Sequence, residues 1–149
     1  MGGDVNYLSS VLKGSYYYKY DYVDLIVGIG AEYGNIEGLG ENISKSNRFF
    51  LGGRKIRGFD SSGVGPRVSS NSSASAVGGN NYYTGRVSVR SGIGIPSETA
   101  LQWTVFTDFG TLWGVDDTID NYAVSTDQEE LRMSFGSVSY THLRAHETK

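Results

Sequence analysis

Residues 101–113 read LQWTVFTDFGTLW, and their alternation decides the fold. Leu101, Trp103, Val105, Phe109 and Trp113 fall on one face with Thr107 and Thr111, while Gln102, Thr104, Phe106, Asp108 and Gly110 fall on the other. A period of two is the signature of a strand with one apolar face. The two tryptophans share that face ten residues apart. At about 3.3 Å per residue the spacing is roughly 33 Å along the strand. Tilted by about 40°, it spans roughly 25 Å, the height of the apolar band between the aromatic girdles of a transmembrane barrel.

The same period extends outward. In 22–33, Val23, Leu25, Val27, Ile29, Ala31 and Tyr33 alternate with Tyr22, Asp24, Ile26, Gly28, Gly30 and Glu32. In 85–95, Val87, Val89, Ile93 and Ile95 share a face interrupted by Ser91, opposite Arg86, Ser88, Arg90, Gly92 and Gly94. A strand over roughly 5–20 alternates less cleanly, and a fifth begins near Glu129 with Leu131, Met133 and Phe135 on its apolar face. The connections run short at Tyr20–Tyr22, long over 35–81, tight at Pro96–Ser97–Glu98 and medium over 114–128. Short turns on one side and long loops on the other make the meander of a membrane barrel. Tyr16, Tyr17, Tyr18, Tyr20 and Tyr22 crowd the first short turn, where a girdle belongs.

Composition agrees and excludes much. Of 149 residues, 21 are Gly and 11 are Tyr, a balance that favours strands over helices. The absence of cysteine removes a disulfide scaffold, a thiolate metal site and a cysteine nucleophile together. A net charge of −3 argues against a nucleic-acid partner. Both histidines, His142 and His146, fall in the last eight residues, so the body lacks the commonest general base. The chain is therefore read as a non-enzyme that needs no cofactor or metal. Asp24–Gly34, DLIVGIGAEYG, mimics a dinucleotide fingerprint, but NIEGLGEN after it has no helical period to hold a pyrophosphate. The acid-rich stretch Asp116, Asp117, Asp120, Asp127, Glu129 and Glu130 lacks the spacing of a calcium loop and reads as a solvated loop.

The class is all-β, a partial antiparallel transmembrane β-barrel. Five strands cannot close a membrane barrel, whose smallest forms have about eight. An open sheet in lipid would strand its edge N–H and C=O groups. Residues 1–137 are accordingly read as a piece of a barrel domain carrying a long extracellular loop over 35–81. The last segment, VSYTHLRAHETK at 138–149, is read as abandoning the strand that Leu131–Gly136 begins, resembles a translated sequencing adapter and is taken for a non-native tail.

The most distinctive stretch lies in the long loop, NRFFLGGRKIRGFDSSGVGPR at 47–67. Gly52-Gly53, the tetrad Ile56-Arg57-Gly58-Phe59 and Gly65-Pro66-Arg67 follow one another there, and Phe106-Thr107-Asp108-Phe109-Gly110 with Leu112-Trp113 continue the series. This ordered set resembles the BamA family of outer-membrane assembly factors, the bacterial surface antigen superfamily, over about residues 4–136. The resemblance implies a sixteen-stranded barrel, of which about five strands are present, in the bacterial outer membrane. It implies the assembly and insertion of other β-barrel proteins, with outer-membrane lipid, unfolded barrel substrates and accessory lipoproteins as partners. The alternative is a two-partner secretion or translocation-assembly transporter of the same superfamily, which shares the arginine tetrad and differs in its number of upstream POTRA repeats. A plain porin, from a different class, should lack the tetrad.

Physics gives the tetrad a role beside the resemblance. Residues 45–67 hold six basic side chains (Lys45, Arg48, Arg54, Lys55, Arg57 and Arg67) against one acid, Asp60. Such a loop should seek an acidic or aromatic wall. Asp108 and Phe106 project from the polar face of their strand, so a loop folded into the lumen can set the Arg57 guanidinium against both. That would join a charge-assisted hydrogen bond to a cation–π contact, with Gly58 letting the backbone turn tightly beside them. Family members often place an acid facing the lumen on the strand after this loop. Here Arg86 and Arg90 stand on that face, so that partner is not carried over.

Overall fold

Alternation of apolar and polar residues builds one antiparallel sheet. The computed structural model describes residues 6–40, 42–70, 73–93, 99–115 and 130–143. The strands are β1 (Tyr7–Tyr20), β2 (Leu25–Gly38), β3 (Arg67–Ser70), β4 (Ser73–Ala76), β5 (Asn81–Ile93), β6 (Thr99–Trp113) and β7 (Arg132–Leu143). Five of them form the wall in the order β1-β2-β5-β6-β7, and β3 with β4 makes a separate small hairpin. Every wall strand runs antiparallel to its neighbour, and the described sheet is open at β1 and β7. The chain is thus part of an antiparallel transmembrane β-barrel.

Register fixes the faces. Val27 pairs with Val89 and Val89 with Val105, so one apolar row crosses three strands. On the same face Leu8, Leu12, Tyr16, Ile29, Val87, Met133 and Phe135 are exposed, as suits side chains that meet lipid rather than water. Tyr18 and Tyr20 stack edge-to-face at 4.5 Å near the first turn, and Tyr83 meets Trp113 at 5.9 Å near the other end. The opposite face carries Glu32, Tyr82, Thr84, Arg86, Phe106, Asp108 and Leu112, brought into rows by the pairs Glu32–Thr84, Arg86–Asp108 and Tyr82–Leu112.

The connection between β2 and β5 folds back over that second face. Its apolar residues Leu51, Ile56 and Val64 are buried with Tyr82 and Leu112 of the wall, and Phe49 and Phe59 pack around them. The core therefore lies between the loop and the loop-side half of the wall.

Three boundaries differ from the sequence reading. β2 continues past residue 35 to Gly38, because Asn35 donates to Asn81 at 2.6 Å and the Ile36 N–H donates to the Asn80 carbonyl at 2.9 Å. The β3–β4 hairpin lies within what reads as unbroken loop, since its serine-rich sequence has no apolar alternation. β7 does not leave the sheet after Gly136 but stays in register to Leu143, opposite Thr99, with His142 opposite Ala100. The turn at Pro96–Glu98, most of the acid-rich loop (116–129) and His146 lie outside the described residues. The dinucleotide mimic falls in the first turn and β2, and that strand runs on to Gly38 where the fingerprint would open a helix.

The faces are testable at Val89. Val89→Arg would put a cation on the lipid side in the middle of β5, which should cost the full-length barrel about 2 kcal/mol. Denaturant titration in lipid vesicles would read it, and an unchanged midpoint would mean that Val89 does not meet the bilayer.

Candidate functional site

Backbone hydrogen bonds first shape the loop. The Val64 N–H donates to the Leu51 carbonyl at 3.0 Å, closing the base, and the Gly53 N–H donates to the Phe59 carbonyl at 2.9 Å, closing the tip. The tip presents Lys55, Ile56 and Arg57 to the wall. Ile56 is fully buried. It occupies the space left by Gly110, where an added Cβ would come within 2.9 Å of the Ile56 Cδ1. Gly58 turns the chain with φ +88°, a left-handed conformation that side chains disfavour; a Cβ there would make only ordinary contact with Ser134, so the need is conformational rather than spatial.

Arg57 is seated on β6. Its Nε donates to Asp108 Oδ2 at 2.7 Å, its Nη2 to Oδ1 at 2.8 Å and its backbone N–H to Oδ2 at 3.1 Å. The guanidinium carbon also lies 3.2 Å from the centroid of the Phe106 ring. Phe106 is held flat by Gly136 of β7, whose missing side chain leaves room for the ring edge. The carboxylate of Asp108 is wholly buried, so a bidentate, charge-assisted partner is what makes its burial tolerable. Phe59, the last residue of the tetrad, packs on the core beside Ile56.

Two further groups complete the site, and sequence reasoning missed both. Arg86, set aside as a departure, donates from Nε to Asp108 Oδ1 at 2.8 Å and from Nη2 to the Arg54 carbonyl at 3.1 Å. It is the direct cross-strand neighbour of Asp108, so one carboxylate serves two arginines. The second group lies across β5. Lys55 donates to Glu32 Oε1 at 2.6 Å and to the Tyr82 hydroxyl at 2.7 Å, and that hydroxyl donates to the same Glu32 oxygen at 2.5 Å. Burial works against the Lys55 charge, but the hydrogen bonds to Glu32 and Tyr82 outweigh it, and the ammonium keeps its proton above the ordinary lysine range. The carboxylate that meets Lys55 thus comes from β2, the strand before the loop.

Chemically this arrangement binds. A cationic loop tip meets two carboxylates and two aromatic rings on a strand wall. The family model of the Omp85 superfamily domain matches residues 1–138. The chain belongs to the Omp85 superfamily. An Omp85 chain with a lipid-facing apolar row is a protein of the bacterial outer membrane. It is similar to the outer membrane protein assembly factor BamA of Neorickettsia risticii (strain Illinois), with 34% identity over 138 residues. That match takes in 92% of this Omp85 chain but only 18% of the relative's length.

Proposed function

We propose that this chain forms part of the barrel of an outer-membrane assembly factor, which folds and inserts other β-barrel proteins. The observation that carries the reading is the Arg57 guanidinium seated on the buried Asp108 carboxylate and the Phe106 ring, which fixes a long loop inside the wall instead of leaving it in solvent. The 34% identity to an outer membrane protein assembly factor supports the same reading. In it the substrates are unfolded barrel proteins, the medium is outer-membrane lipid and accessory lipoproteins assist. The work is done by packing and hydrogen bonding, without bond chemistry.

Arg57→Ala in the full-length protein tests it. Truncation removes the three contacts to Asp108 and Phe106 that the side chain makes. Assembly of other barrel proteins should fall, and protease should begin to cut between Asn47 and Arg67. Wild-type assembly in cells relying on the variant would sink the reading. Support of protein secretion alone would move it to the transporter branch.

A further inference from the structure

The contacts on the far side of β5 have a separate role. We propose that Lys55, Glu32 and Tyr82 form a second latch, independent of the Arg57 site, which ties the loop to β2. The proposal deepens the loop-lock reading above and rests on it for its link to assembly.

The geometry is that of a built site. Lys55, Glu32 and Tyr82 close a triangle of three hydrogen bonds, and the Lys55 ammonium also lies 4.0 Å from the Tyr82 ring centroid. Glu32 keeps its second oxygen for Lys13 of β1, at 3.7 Å. Tyr82 is only 1% exposed. Its ring lies across Gly34, its cross-strand partner, where an added Cβ would come within 2.1 Å of the ring edge. Phe49 of the loop closes the other side with an edge contact at 4.8 Å. The bare Gly34 therefore lays the ring down and delivers the hydroxyl to Glu32, two residues along the same strand.

Placement makes the two latches complementary. Adjacent strands lie about 4.8 Å apart, so β2 and β6 stand roughly 10 Å apart on either side of β5. The segment Lys55–Arg57 spans that gap, with the Lys55 side chain on Glu32 of β2 and the Arg57 side chain on Asp108 of β6. The loop tip braces three consecutive strands, and losing one latch leaves the other closed.

Trypsin cleavage of the full-length protein in outer-membrane vesicles reads this directly. Lys55→Met keeps the aliphatic stem and removes the charge. Cutting after Arg48 and Arg54 should then rise about tenfold, the scale of one lost charge-assisted hydrogen bond at a partly exposed site, while cutting after Arg67 stays at the wild-type rate. Glu32→Gln should do the same, and Lys55→Met with Glu32→Gln should be no worse than the more severe single variant, because one interaction is lost once. Tyr82→Phe, which keeps the ring and the packing, should give a smaller rise, and Lys55→Arg should restore protection. Wild-type cleavage in Lys55→Met, or effects that simply add in the double variant, would overturn the latch. Assembly measured on the same vesicles separates the two ideas: rapid cleavage with wild-type assembly keeps the latch and removes the loop from assembly.

Discussion

Asp108→Ala in the full-length protein should release the loop more completely than Arg57→Ala. Asp108 accepts from the Arg57 side chain at 2.7 and 2.8 Å, from the Arg57 backbone at 3.1 Å and from Arg86 at 2.8 Å. Removing Arg57 leaves the buried carboxylate with Arg86 as its counter-ion. Removing Asp108 leaves two guanidinium groups facing each other without one. Taking away one member of a buried ion pair costs about 3–5 kcal/mol. The arginine side chains are 34% and 43% exposed, so water recovers part of that loss. The lower end, about 3 kcal/mol, is the reasonable figure. It corresponds to roughly a hundredfold shift toward the undocked loop. Thermolysin digestion of the vesicle-embedded protein would show cleavage across 47–67. Asp108→Asn, which still accepts hydrogen bonds, should fall between wild type and Asp108→Ala. If Asp108→Ala proves milder than Arg57→Ala, the carboxylate is not the hub of the site.

Much of this site is legible in the sequence, for a definite reason. Period-two alternation assigns Phe106, Asp108, Glu32 and Arg86 to one face before any contact is known, because a strand leaves a side chain only two directions. The ordered motifs then single out Arg57 and its partners. Arg86 was visible but misjudged. The pairing of β5 with β6 is centred on residue 97, which places Arg86 and Asp108 each eleven residues from the centre and so directly opposite. A tight turn read from the sequence at Pro96–Ser97–Glu98 implies that register, so the two-arginine cluster could have been inferred. What hid it is that Arg86 reads only as a missing acid on that face, not as a second donor to Asp108.

Lys55 and Glu32 are a different case. No strand register relates a loop residue to the wall, and 23 residues separate the two. Their meeting depends on how the loop packs, through Ile56 on Gly110 and Phe49 on Tyr82. Local pattern carries no such information. The β3–β4 hairpin was hidden for a related reason. RVSS and SASA have weak strand propensity, yet they pair in register, and the Val77 N–H donating to the Pro66 carbonyl at 3.1 Å extends the hairpin.

Gly52→Ala should disable both latches without altering a single charge. Gly52 has φ +138°, and a Cβ there would drive into the carbonyl oxygen of Asp60. That oxygen belongs to the backbone and cannot rotate aside. Strain at a glycine-only conformation costs about 1–3 kcal/mol, and forcing an extra carbon into a filled space a further 1–3, so about 4 kcal/mol together is expected. The damage lands at the base of the tip. Gly52 accepts from the Lys55 N–H at 3.1 Å, and the Leu51–Val64 bridge and the Gly53–Phe59 hydrogen bond flank it on either side. If that base opens, Lys55 and Arg57 lose their approach to the wall together. Cleavage of Gly52→Ala should then match that of Lys55→Met combined with Arg57→Ala. Gly53→Ala is the control. With φ +56° and its nearest neighbour 3.4 Å from an added Cβ, Gly53 sits in the left-handed region that ordinary residues enter for about 1–2 kcal/mol. A protected loop in Gly52→Ala would mean that side-chain contacts alone hold it. Loss of protection in Gly52→Ala but not in Gly53→Ala would place the specificity of the Gly-Gly pair in its first residue, where the backbone leaves no room for any other.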